Sequence, residues 1–153
     1  MLDAALDLFP TDLSLQRQVA LAFDAVGIGP DLYVRDNLAD GGIEPYPGTY
    51  LWASPDIINR TAPSASPTTD FANLADDTLW QNVEAGQDNY VYVRVQNRGL
   101  TSSDTTIQVY FSAASTFADP SAWIHVGTLV EADITPGSLR IAGPLTFHEA
   151  DIP

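Results

Sequence analysis

The sequence predicts a mostly β fold, a Greek-key β-sandwich of about seven strands preceded by one amphipathic α-helix. Three observations predict it. Residues 89–99 alternate strictly, with Val91, Val93 and Val95 directed one way and Tyr90, Tyr92 and Arg94 the other, the period of a strand that has one face in a core. Further short apolar runs follow at regular intervals, separated by Pro, Gly and Asp turn signatures. Helical spacing is confined to the start of the chain, before Gly27-Ile28-Gly29-Pro30. At 153 residues the chain has the length of one domain and can bury roughly two thirds of its unfolded surface around a single core. It divides into an N-terminal segment, residues 1–30, and a sandwich domain, residues 31–153.

In chain order, Thr11-Asp12-Leu13-Ser14 offers caps after Pro10, and Leu15, Val19, Ala22, Phe23 and Val26 recur at helical spacing. An isolated helix of about 13 residues is not stable in water. Leu15, Val19, Phe23 and Val26 are therefore expected to form an interface, against a sheet or against another subunit. Leu32-Tyr33-Val34 is a short strand, closed by a turn through Asp40-Gly41-Gly42. Tyr50-Leu51-Trp52-Ala53 follows, then a kink at Ser54-Pro55-Asp56 and an apolar edge at Ile57-Ile58. Residues 61–69 form a surface loop, and residues 70–81 fit neither period, leaving room for a turn of helix. After Asn97-Arg98-Gly99 turns the chain, residues 107–111 are expected to pair antiparallel with the central strand. Strands at residues 123–129, 139–141 and 145–147 complete the pattern. The count and the turns give the appearance of an immunoglobulin-type sandwich.

Charge narrows the partners. Six Arg and no Lys face sixteen Asp and four Glu, a formal net charge of -14, which repels phosphate backbones and anionic lipid. Nucleic acid and membrane insertion are excluded as expectations, and protein is the expected partner. No run approaches the ~20 apolar residues of a membrane helix, and Met1-Leu2-Asp3 lacks the basic start of a signal peptide. Cysteine is absent, so redox compartment is left open.

Catalytic patterns are missing from the sequence. His125 and His148 lie in different strands without metal-ligand spacing, and there is no nucleophile elbow or phosphate-cradling glycine loop. The expectation is a protein that is not an enzyme. Calcium is the one cofactor put forward, through Asp36, Asn37, Asp40 and Glu44 on one turn, with Asp56 brought near by the Ser54-Pro55 kink. Such a loop offers oxygen ligands on a flexible backbone. The competing role for Asx residues in a turn is to bond their own backbone. Trp52, Trp80 and Trp123 sit in apolar surroundings and are expected in the core rather than on a carbohydrate platform. Asn59-Arg60-Thr61 is an N-glycosylation sequon.

The order of Asp31-Leu32-Tyr33-Val34-Arg35-Asp36, Asp40-Gly41-Gly42-Ile43-Glu44-Pro45, Trp52-Ala53-Ser54-Pro55-Asp56-Ile57 and residues 89–99 resembles immunoglobulin-like (CARDB-like) accessory sandwiches of large secreted bacterial proteins. The resemblance implies a non-catalytic, extracellular or cell-surface module for binding, spacing or assembly. Ala22-Phe23-Asp24-Ala25-Val26-Gly27 is similar to the end of the last helix of thermolysin-like zinc peptidases, although the zinc-binding His-Glu-x-x-His is absent and no peptidase activity follows. In relatives of the sandwich a further strand follows the position of Asp151-Ile152-Pro153. An open edge there would be completed by a second subunit or covered by the chain itself. The expected function is thus a self-associating interaction or structural module, or one attached to a larger secreted protein. The alternative is a calcium- or carbohydrate-binding accessory domain of a secreted hydrolase such as a metallopeptidase.

Overall fold

A computed structural model describes residues 29–41, 54–113 and 119–153, together with Gln18, Ala22 and Val26. Strand accounts for 40% of it and helix for 11%, so the mostly β class holds. The strands are β1 (Leu32–Tyr33), β2 (Ile57–Arg60), β3 (Asn89–Asn97), β4 (Ser103–Phe111), β5 (Ile124–Ile134) and β6 (Leu139–Phe147). They form two antiparallel sheets. In the first, β3 pairs with β6 along one edge, while β2 and β1 share its other edge, Ile57 opposite Val93 and Leu32 opposite Asn97. In the second, β4 pairs with β5 as a ribbon. Gln18 and Ala22 are helical, and the rest of the expected N-terminal helix apart from Val26 lies outside the described residues, as does the expected strand at residues 50–53.

The central strand is where expected, but both of its faces are buried. Val93 and Val95 meet Ile134, Ile107 and Val109 between the two sheets. On the reverse face Tyr92 packs with Ile58, Phe71 and Leu79, its ring 4.8 Å from that of Phe71. Alternation in residues 90–95 therefore separates two apolar environments, not core from solvent. The reverse face is covered by a strap, residues 61–82, that carries the helical turn α1 (Pro67–Asp70) with proline in its first turn. That turn falls earlier than the 70–81 window in which the sequence left room for one.

The expected pairing of β3 with β4 is not formed. β4 lies in the other sheet, and the chain crosses between layers at residues 98–102. The cause is Asn97, buried to 1% exposure. Its Nδ2 donates to the carbonyls of Thr101 (2.8 Å) and Ile134 (2.7 Å), and its Oδ1 accepts from the Gly99 N–H (2.9 Å), which fixes a corner where a hairpin turn was expected. A Cβ on Gly99 would lie 2.0 Å from the Gly29 carbonyl oxygen, so the corner closes only around glycine.

β4 keeps the alternating exposure of a half-buried strand throughout. β6 is one strand rather than the two expected, because the ladder shifts register between Val91 and Val93, across from Gly143. Gly143 has φ 112°, and a Cβ there would lie 2.7 Å from the Val91 oxygen. Trp80 and Trp123 are not core residues: they are 53% and 38% exposed, while Trp52 lies outside the described residues. The apolar positions they were expected to fill are taken by Ile58, Phe71, Ile134 and Phe147.

Gly99→Ala is expected to lower unfolding stability by more than about 3 kcal/mol, or to prevent folding, because the clash is with backbone. Gly41→Ala, with open space around the new methyl group, should stay within about 0.5 kcal/mol of the parent in urea titrations.

Candidate functional site

Strong charge chemistry is concentrated around Asp56, which has 0% exposure. Arg35 donates to its Oδ2 from the backbone N–H (3.0 Å) and from Nε (2.9 Å), and to its Oδ1 from Nη2 (2.7 Å). Arg94 donates from Nε to the same Oδ1 at 2.8 Å. A carboxylate offers about four lone-pair positions, and these four bonds use them. The remaining guanidinium nitrogens reach backbone oxygens of the strap and of the turn before β2: Arg35 Nη1 to Leu74 (2.9 Å), Arg94 Nη1 to Asn73 (2.7 Å) and Arg94 Nη2 to Pro55 (2.6 Å).

Two cations share one anion, and carbonyl dipoles take up the unbalanced charge. Hydrogen bonding to Asp56 raises the pKa of Arg35 against the cost of burial. For Arg94, which is wholly enclosed, burial dominates and lowers the pKa, with the attraction of Asp56 only partly opposing it. Asp56, put forward as a calcium ligand, is here the acceptor of an ion pair with both arginines. Neither arginine was singled out from the sequence; the available signal was a charged residue inside a valine-rich strand.

The other expected cation ligands are only partly brought together. Asp36, Asn37 and Asp40 share one turn, in which Asp40 Oδ2 accepts from the Asp36 N–H (2.9 Å) and Asn37 Oδ1 accepts from the Ala39 N–H (2.8 Å). The Asn37 bond is that of an Asx turn, and Asp40 reaches back to cap the N–H at the start of the same turn. Glu44 lies outside the described residues. Among the described residues no group of three or more His, Asp or Glu is disposed to hold a metal ion. Of the expected helix interface, Val26 is 66% exposed, and Leu15, Val19 and Phe23 lie outside the described residues.

Both histidines are on the surface. His125 stacks on Tyr110 with ring centroids 5.0 Å apart, and His148 Nδ1 lies 3.5 Å from Asp88 Oδ2. The sequon residue Asn59 donates its side-chain amide to the Gln81 and Asn82 carbonyls, both at 3.2 Å, which ties β2 to the strap.

Two surface features remain. A cleft of about 860 Å³ opens between the sheets, with Val91, Val109, Phe111 and Phe147 among its walls and Trp80, Asp77 and Gln81 contributed by the strap. The outer face of the β4–β5 ribbon presents Tyr110 beside His125, Gln108 beside Thr128 and Thr106 beside Val130, all exposed. No protein family, curated protein or solved structure matches the chain.

Asp56→Ala leaves two buried like charges facing each other and is expected to cost about 3–5 kcal/mol in chemical denaturation. Arg35→Met leaves a balanced Arg94–Asp56 pair and should cost less, about 1–3 kcal/mol. In the strap, hydrogen bonds from the Thr78 hydroxyl and then its N–H hold the Asp76 carboxyl below its ordinary value. Asp76 thus supports the fold above its unfolded pKa, and that support is lost as pH falls through the folded pKa. Thr78→Val should move the Asp76 carboxyl upward toward the ordinary value in an NMR titration; an unchanged titration would count against the hydroxyl as the main cause.

Proposed function

We propose that this chain is a non-catalytic interaction or structural module, self-associating or attached to a larger secreted protein. One observation carries the reading. The nine-residue β4 and eleven-residue β5 pair only with each other among the described residues, which turns one edge of each away from the ladder. Long strand edges are sites of strand addition, and native proteins cover or blunt them where no partner is intended. The strong charges at Asp56, by contrast, are spent on holding β2, β3 and the strap together. An extracellular or cell-surface location is part of the proposal on the sequence resemblance alone.

A second reading, carbohydrate binding, is favoured by the exposure of Trp80 at the cleft, beside Asp77 and Gln81. An exposed indole with neighbouring amide and carboxylate groups suits the apolar face and hydroxyl rim of a sugar ring.

Light scattering on the purified chain, with calcium and then with a chelator, tests the first reading. A mass above that of one chain is expected in both conditions. A single-chain mass in both would overturn self-association. Retention on immobilised polysaccharides that Trp80→Ala abolishes, with no change in mass, would favour the second reading.

A further inference from the structure

We infer that the Asn59-Arg60-Thr61 triplet is a modification site only while the strap is undocked, and that a glycan on Asn59 excludes the folded arrangement of β2 and residues 61–82. Transfer to an asparagine joins Nδ2 to the anomeric carbon of an oligosaccharide carried on a lipid diphosphate. The anomeric C–O bond breaks, the lipid diphosphate leaves, and one Nδ2 hydrogen departs as a proton. The sugar therefore needs open space beside Nδ2.

That space is filled by protein. The two Nδ2 hydrogens are shared among three oxygens, the Gln81 and Asn82 carbonyls at 3.2 Å and Asn89 Oδ1 at 3.3 Å. Asn89 has 0% exposure and is held in place: its Oδ1 also accepts from the Glu84 N–H (3.0 Å), and its Nδ2 donates to the Glu84 (2.8 Å) and Gln87 (3.1 Å) carbonyls. Turning the Asn59 amide over would set Oδ1 against the same three oxygens with no hydrogen between them. As it stands Oδ1 is buried and has no hydrogen-bond partner among the described residues. A pyranose ring bonded to Nδ2 has to displace the strap backbone.

The rest of the triplet is engaged as well. Sequons ordinarily occupy surface loops, whereas here Asn59 and Arg60 are ladder residues of β2, opposite Val91 and Tyr90. Arg60 Nη1 donates to the Leu79 carbonyl at 2.9 Å. The Thr61 hydroxyl, the group that defines the triplet, donates to Gln81 Oε1 at 3.2 Å, and the Thr61 N–H donates to the same oxygen at 2.9 Å. Gln81 answers with its own N–H, which donates to the Asn59 carbonyl at 2.8 Å. One strap residue thus closes both ends of the sequon. In a host that glycosylates, attachment at Asn59 has to precede docking of the strap, and the attached sugar then holds the strap off.

The test uses the full chain secreted from a glycosylating cell, as wild type and as Ala75→Thr, which completes a second triplet at Asn73. Asn73 is exposed and its side chain accepts through Oδ1 from the Ala75 N–H, so it serves as a site in the same strap that tolerates a sugar. Glycopeptide mass locates the modification, and amide exchange of the Gln81 N–H reports strap docking. The expected result is a folded fraction unmodified at Asn59 in both chains and modified at Asn73 in the variant. In unmodified protein, both Asn59 Nδ2 hydrogens should exchange at least about tenfold more slowly than those of Asn73. A glycan on Asn59 accompanied by an unprotected Gln81 N–H also supports the exclusion. A glycan on Asn59 in a chain whose Gln81 N–H stays protected would overturn it, as would an Asn59 Nδ2 hydrogen that exchanges as fast as those of Asn73. Where the host modifies neither asparagine, the side-chain exchange rates decide.

Discussion

The structure depends on one carboxylate held between two guanidinium groups. Asp56 comes from the turn before β2, Arg35 from the chain leaving β1 and Arg94 from the middle of β3, so the cluster joins three segments distant in sequence. Burial of this kind is favourable only when every donor finds an oxygen. The strap meets that condition. Backbone carbonyls of Asn73, Leu74 and Asp76, together with that of Pro55 in the turn before β2, accept arginine protons that Asp56 does not, and the strap is thereby drawn across β3. Phe71 and Leu79 then close over Tyr92 and Ile58. Polar satisfaction and apolar burial are two aspects of one docking event, each requiring the other.

The class and most strand positions were legible in the sequence because they rest on local periodicity. Residues 89–97 alternate and β3 is there; the turn at Pro136-Gly137 separates β5 from β6 as expected. What the pattern could not carry was pairing. Asn97-Arg98-Gly99 has the composition of a hairpin turn, and only the long-range bonds of the Asn97 side chain to Ile134 and Thr101 convert it to a corner between sheets. Likewise Arg94 has the spacing of a solvent-facing strand residue, and only the strap, which lacks a regular period, makes it interior. The six-strand arrangement described is consistent with a sandwich.

The site residues were less legible for a related reason. Carboxylates in turns look alike whether they bind a cation, cap a backbone or pair with arginine, since all three roles need an exposed oxygen on a short side chain. The partner decides, and the partner is remote. Asp56 is 21 residues from Arg35 and 38 from Arg94. Trp80 was misplaced because neighbouring Leu79 suggested burial for both; in the strap the two side chains separate, with Leu79 packed on the inner cluster and Trp80 at the cleft.

The corner at Asn97 also divides the fold into a part closed by local contacts and a part closed by distant ones. β4 and β5 are close in sequence and can zip together as a hairpin from local contacts. β3 has no neighbour of that kind: β2 lies before the strap, and β6 arrives only after the whole ribbon has been traversed. Closing the larger sheet therefore carries a loop-entropy cost that the ribbon escapes. The ribbon needs only the connection 112–123 to close, whereas β2 reaches β3 across residues 61–88 and β6 reaches it across residues 98–138.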